Sequence, residues 1–305
     1  MTVIERTGGI RAFLVERYLP VYPIYLTLWV VAVESMTAMT GTVTGSAGPW
    51  RPTWDTALKV LALIAAGAFL RIVDDQKDLD YDRLHNPTRP LVQGRITHAE
   101  LRVAMAVTAA VALALAAAVS LPAAAVLAAA LGYGLALWWM ELHVSWVRDN
   151  AIVNLAVVCP AQFLVTGFVM VGQPGVGDAS WGRLLAVPVV FTSAFLHLEF
   201  ARKTCRTGAG DPHSYSQLIG VSASAKTAWA FGMLAVLLEL SVTAPWRWAE
   251  HWWPVAWVPL AAGILPCVSA CIFLGGGADR HPRSWPTVFV IVFYLAIVGQ
   301  GLVYR

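Results

Sequence analysis

The chain has 305 residues, of which 58% are hydrophobic and only 13% charged, where soluble proteins carry about 25% charged residues. With 14 tryptophans and a mean hydropathy of +0.64, the composition excludes a soluble globular protein. It implies an all-α integral membrane protein whose residues 1–305 form one bundle rather than two domains. A net charge of +3 gives a nucleic-acid partner no electrostatic support.

Met1 to Arg17 carries Arg6, Arg11 and Arg17 but no signal-peptide core and no small-residue cleavage site. This predicts a retained cytosolic arm, residues 1–17, with room for a short interfacial helix. A helix needs about 20 apolar residues to cross about 30 Å of hydrocarbon. Nine stretches reach that length: 18–43, 54–73, 99–120, 122–142, 150–172, 183–201, 224–244, 253–274 and 285–304. Lipid offers no partner to backbone polar groups, so these are expected to be helices. Gly and Pro punctuate the breaks, from Gly45 to Pro52, at Pro122, from Pro245 to Pro254 and from Gly275 to Pro286. With the N-terminus cytosolic, of the 21 Lys and Arg residues only Arg51, Lys59, Arg183, Arg247 and Arg305 fall on the far side. That is a strong positive-inside bias. Most tryptophans near span ends, such as Trp138, Trp139, Trp146 and Trp253, read as an interfacial belt.

Span one contains Glu34, an ionisable group inside the membrane. Such groups are functional suspects, and Glu34 reads either as a proton acceptor or partner for Arg202 or Lys203, or as one half of a structural ion pair. After span two, residues 74–94 read DDQKDLDYDRLHNPTRPLVQG and place five aspartates at the mouth of an apolar helix. Clustered carboxylates next to a low-dielectric region demand a cation among Asp74, Asp75, Asp78 and Asp82. A hard divalent ion such as Mg²⁺, shared with a phosphate, suits such a donor set. If the helix continues, Asp74, Asp78 and Asp82 stand at i, i+4 and i+8, and Asp75, Asp78 and Asp82 at i, i+3 and i+7, while Asp80 lies off that face. Arg89 and Arg95 follow closely, and guanidinium grips phosphate oxygens bidentately. Asn150 and Asn154 open span five on one face, facing either phosphate and Mg²⁺ or a neighbouring helix. Cys159, Cys205, Cys267 and Cys271 show no CxxC spacing and read as buried apolar thiols.

The run Asp74-Asp75-x-x-Asp78-x-x-x-Asp82, followed by Arg89-Pro90 and Gly94, resembles the first aspartate-rich motif of UbiA-type intramembrane prenyltransferases. That motif usually begins with Asn where this chain has Asp74. The resemblance implies a bundle of about nine helices with a cytosolic-side cavity. It also implies that Asp75, Asp78 and Asp82 hold Mg²⁺ against the diphosphate of an isoprenyl substrate, with Arg89 as a phosphate or loop-organising residue. Developing charge on the departing diphosphate is then neutralised, leaving an allylic cation. An aromatic or other small acceptor quenches it, the prenyl tail lies among the helices in membrane lipid, and Tyr81 or Tyr215 offers a π face to the cation.

The family's second aspartate-rich motif, after span six, is poorly matched. His197-Leu198-Glu199-Phe200-Ala201-Arg202-Lys203-Thr204-Cys205-Arg206 offers one acid and three cations, with Asp211 and His213 beyond. Here Arg202 and Lys203 are expected to act on the diphosphate directly, with Glu199 completing a metal shell or orienting Arg202; otherwise the three cations are ordinary membrane anchors. Two rival functions follow. A UbiA-type terpene cyclase keeps the metal site and needs no acceptor, whereas a divalent-cation transporter uses the aspartates without diphosphate chemistry.

Overall fold

The computed structural model describes residues 3–41, 49–173, 176–177, 179–206, 214–276 and 278–304, with side chains from residue 9 onward. Among the described residues the regular structure is helical, and an isolated antiparallel bridge joins Cys205 to Arg280. Among the described residues nine segments are long and apolar enough to cross a membrane, within a few residues of the expected spans. The chain divides into two compact units, Met1–Val30 with Pro52–Ser145, and Val31–Arg51 with Trp146–Arg305.

The first unit contains α1 (Val3–Arg17), the first half of α2 (Val21–Gly41), α3 (Trp54–Lys77), α4 (Leu79–His85), α5 (His98–Val119) and α6 (Leu121–His143). Local chemistry fixes where these helices start. Thr53 and Thr56 form a reciprocal capping box at α3, with Asp55 in the first turn, and Thr97 and Glu100 do the same at α5. Ser120 caps α6, whose first turn takes Pro122. Each such cap contributes about 1 kcal/mol. The core is α3 packed against α5 and α6. Ala62, Leu63, Ala66, Phe69 and Ile72 of α3 are buried, as are Leu101, Met105 and Ala112 of α5 and Leu127, Leu131 and Gly134 of α6. Small residues let membrane helices approach closely. At Gly134 a Cβ atom would lie 2.5 Å from Leu70 Cδ2. The expected N-terminal helix is present as α1, which packs on α5.

The second unit contains the remainder of α2 followed by α7 (Ser145–Asp149), α8 (Ala151–Met170), α9 (Trp181–Arg202), α10 (Tyr215–Ile219), α11 (Val221–Thr243), α12 (Trp253–Ala256), α13 (Val258–Ala262), α14 (Ile264–Leu274) and α15 (Ser284–Val303). Its spine is the α9–α11 pair, flanked by α8, α14 and α15. The eighth span was expected as one helix over 253–274 and is instead three pieces, α12 to α14. Pro254, Pro259 and Pro266 cannot donate backbone hydrogen bonds, and Gly263 lies at the junction of α13 and α14. Two glycines mark close helix crossings. A Cβ on Gly232 would meet Pro266 Cγ at 2.9 Å and His197 Nδ1 at 3.1 Å, and one on Gly301 would meet Ser35 Cβ at 2.7 Å.

The four cysteines are free, but they are not the buried thiols expected. Cys159, Cys205 and Cys267 are half-buried and Cys271 is exposed.

Candidate functional site

The aspartates gather where α3 gives way to α4. Asp78 ends one helix and begins the next, with φ −87° and ψ 9°, in the bridge region between α and β backbone. The α-helical bonding continues through it: Asp78 N–H donates to Asp74 O at 2.9 Å and Asp82 N–H to Asp78 O at 2.8 Å. The i, i+4, i+8 spacing of Asp74, Asp78 and Asp82 therefore persists across the joint.

Their environments differ sharply. Asp75, expected among the metal ligands, is saturated by guanidinium groups: Arg17 Nε and Nη2 donate to its two oxygens at 2.8 and 2.9 Å, and Arg71 Nη2 lies 2.8 Å away. Its side chain is 1% exposed. Asp75 thus faces α1 and locks it to α3, one step around the helix from Asp74. Asp82 is also buried and is held by Arg89 and by Asn86 Nδ2, the latter at 2.9 Å. Asp80 pairs with Arg83 in solvent. Asp74 is half-exposed and lies 3.5 Å from Lys77 Nζ. Asp78 is half-buried and makes no side-chain hydrogen bond or ion pair among the described residues. Burial pushes its carboxyl up to about 7; Lys77 opposes this, and Asp74, Glu141 and Asp82 add to it.

The two arginines expected to grip phosphate are engaged with carboxylates. Arg89 serves Asp82, and Arg95 donates to Glu16 Oε2 at 2.8 Å and to Thr88 O at 3.1 Å. Tyr81 stacks on His85 with ring centroids 4.3 Å apart.

In the second unit, the end of α9 carries its own charge network. Glu199 receives Arg202 Nη2 at 2.7 Å and Lys203 Nζ at 2.8 Å. The i, i+3 relation of Glu199 and Arg202 makes the expected pair. Lys203 Nζ also stands 5.2 Å from the centroid of the Tyr215 ring, so a side-chain cation already covers a π face proposed for a carbocation. Tyr215 is buried against Phe200, with centroids 4.5 Å apart; burial and the nearby Glu199 charge push its hydroxyl pKa up. Arg206 acts as a clamp: its guanidinium donates to the carbonyls of Phe273 and Leu274, and its N–H donates to Asp279 O at 2.7 Å. His281 N–H donates to Thr204 O at 3.0 Å, completing this tie between two loops. Asp211 and His213 lie outside the described residues.

Asn150 caps α8, its side-chain oxygen accepting from Ile152 and Val153 N–H at 3.0 and 3.1 Å. Asn154 is half-buried one turn later. Glu34 is wholly buried and accepts from Gln173 Nε2 at 2.6 Å.

Sequence reasoning passed over Glu141, in the last turn of α6. Lys77 Nζ donates to Glu141 Oε1 at 3.0 Å, and the two side chains are 16% and 11% exposed. The signal was available, since Glu141 is an acid inside an apolar span just as Glu34 is. The same criterion also points to Glu239, fully buried on α11 beside Thr243 and Gln300. Among the described residues, no group of three or more His, Cys, Asp and Glu side chains surrounds a common metal position. The donor set nevertheless fits a hard cation such as Mg²⁺, which takes one or two carboxylates and completes its shell with water and phosphate oxygens. Asp74 and Asp78 are two such carboxylates, free of guanidinium.

A family model described as UbiA prenyltransferase family matches residues 35–286. A search of curated proteins returned no match. Among solved structures, a UbiA homologue from Archaeoglobus fulgidus bound to DMAPP and Mg²⁺ aligns at 15% identity, covering 92% of this chain and 96% of its own, with a TM-score of 0.60. The apo structure of a UbiA homologue from Aeropyrum pernix K1 aligns at 17% identity, covering 90% and 96%, with a TM-score of 0.57. A structure concerning digeranylgeranylglyceryl phosphate synthase aligns at 14% identity, covering 97% and 99%, with a TM-score of 0.57.

Proposed function

The chain belongs to the UbiA prenyltransferase family, and on that premise we propose a Mg²⁺-dependent, membrane-embedded enzyme that ionises an isoprenyl diphosphate and transfers the prenyl group to an aromatic or other small acceptor. The observation that carries this reading is Asp78. It is a half-buried carboxylate that makes no ion pair among the described residues, one turn from half-exposed Asp74, at the end of a membrane-length helix. The Archaeoglobus fulgidus protein, described with DMAPP and Mg²⁺ bound, supports the same ligand pair for this chain.

In this proposal Asp74, Asp78 and Asp82 would hold Mg²⁺, and Arg89, which is paired with Asp82, would bind phosphate. Asp75 keeps α1 in place and is not a ligand. Bound Mg²⁺ supplies Lewis-acid neutralisation of the departing diphosphate. The chain's own residues supply the rest. Arg89 carries a bidentate donor suited to phosphate oxygens. Arg202, 55% exposed at the side chain, is the more accessible cation of the second unit and is proposed with Lys203 as a phosphate-binding pair that Glu199 orients. Asn154 is a further polar group proposed for phosphate. We also propose that the aspartate-bearing end of α3 faces the cytoplasm, as the positive-inside bias requires.

The cyclase reading remains distinct because the end of α9 offers one carboxylate, Glu199, already paired twice. Incubation with a panel of isoprenyl diphosphates, with and without candidate acceptors, separates the two by mass spectrometry. The transferase reading expects prenylated acceptor and no product without it. A cyclised hydrocarbon or alcohol formed without acceptor would overturn it in favour of cyclisation. In the same assay Lys203→Ala should lower turnover without rescue by added Mg²⁺; full activity would return Lys203 to a purely structural role.

A further inference from the structure

Asp78 is surrounded by the carboxylates of Asp74 and Glu141, the Lys77 ammonium, and Asp82, whose charge Arg89 cancels. With Asp78 itself, their formal sum is two negative charges, the complement of one divalent cation. Among the described residues Lys77 is the counter-charge able to spoil that balance, because an ammonium resting between Asp74 and Asp78 would occupy the metal's place. The structure holds it elsewhere. Lys77 Nζ lies 3.0 Å from Glu141 Oε1 on α6 and 3.5 Å from Asp74 Oδ1, and makes no ion pair with Asp78 among the described residues, although its charge still reaches that carboxyl. Both partners are largely buried. A buried ion pair contributes little net stability once desolvation is counted, so fold stability alone is a weak reason for this one.

We propose that Glu141 is a positioning residue for the metal site: it draws the Lys77 ammonium toward α6, at the edge of Asp74, and so leaves Asp78 open to a divalent cation shared with Asp74. The proposal rests on the reading of Asp74 and Asp78 as Mg²⁺ ligands. Glu141 itself need not touch the metal. Without it, Lys77 swings onto Asp74 and Asp78, and the site loses one negative charge as well.

The test is Mg²⁺ binding to the purified full-length protein by calorimetry at fixed pH, comparing wild type with Glu141→Gln, Lys77→Met, the double variant and Asp78→Asn. Glu141→Gln should weaken Mg²⁺ binding by about tenfold or more, the usual effect of one charge at contact distance. Lys77→Met should bind at least as tightly as wild type. The double variant restores the original charge sum and should return to within about threefold of wild type, close to the scatter of additive substitutions. Wild-type affinity in Glu141→Gln would overturn the proposal and leave an ordinary interhelical tie. A double variant as weak as Glu141→Gln would also overturn it, by making Glu141 a direct ligand. Because Glu141→Gln strands a buried ammonium, the pair-free double variant decides the matter if the single variant fails to assemble. Wild-type protein whose Mg²⁺ binding is absent, or unaffected by Asp78→Asn, would overturn the underlying metal assignment instead.

Discussion

At Asp75 the cost of ionising a buried carboxylate is offset by two guanidinium groups in direct contact, Arg17 and Arg71; at Asp78 only the Lys77 charge opposes it, without an ion pair among the described residues. The two positions therefore fail differently when changed. Asp75→Asn leaves two partly buried arginines uncompensated and should destabilise the protein by roughly 3–5 kcal/mol, read as a lower unfolding midpoint, while Mg²⁺ binding survives in the folded fraction. Asp78→Asn should leave the midpoint nearly unchanged and remove Mg²⁺ binding. Asp78 also predicts a pH dependence. Its carboxyl is raised to about 7 without metal, and a ligand carboxylate must lose its proton to bind. Mg²⁺ affinity should rise about tenfold per pH unit below 7 and level off above it; a flat profile from pH 5 to 8 would exclude Asp78 as a ligand. The aspartate spacing was legible in the sequence because it is local. The division of labour was not, since it is set by Arg17, 58 positions before Asp75, and by Glu141, 64 positions after Lys77.

Helix ends and breaks have local causes in the chain, yet not all were read: the eighth span was expected as one helix over 253–274 and is three pieces. The capping boxes at Thr53 and Thr97 and the proline-rich run from Pro254 to Pro266 are stated in the chain itself. Helix pairing was not readable, because a glycine looks the same whether it faces lipid or a neighbour. Gly301 approaches Ser35 and Gly232 approaches Pro266, whereas nothing lies within 4 Å of a Cβ placed on Gly132. Gly301→Ala and Gly232→Ala should each cost about 1–3 kcal/mol through overpacking. Gly132→Ala should be neutral or slightly stabilising, since alanine is the better helix former. Thermal unfolding in detergent checks all three, and equal effects at the three glycines would contradict the assigned crossings. The loop after α9 shows the other limit of sequence reading. Arg206 has the composition of a phosphate ligand or a membrane anchor, yet it caps carbonyls at the end of α14.

Over the whole molecule, bilayer thickness converts apolar length directly into helices, so all nine spans were legible to within a few residues. The proposed orientation rests on Lys and Arg asymmetry and is testable. In a cysteine-free background, Thr88→Cys should react with an impermeant thiol reagent only from the cytoplasmic side, and Trp246→Cys only from the opposite side. Reversed labelling would invert the proposed topology. The family relationship supplies the reaction class, and the aspartate cluster supplies the chemistry expected of this chain within it. The most direct measurement is therefore diphosphate release from isoprenyl diphosphates by reconstituted protein, in Mg²⁺ and in excess chelator, for wild type and Asp78→Asn. The account predicts release by wild type in Mg²⁺ alone and a loss of several orders of magnitude in the variant; equal release with chelator, or undiminished release by Asp78→Asn, would contradict it.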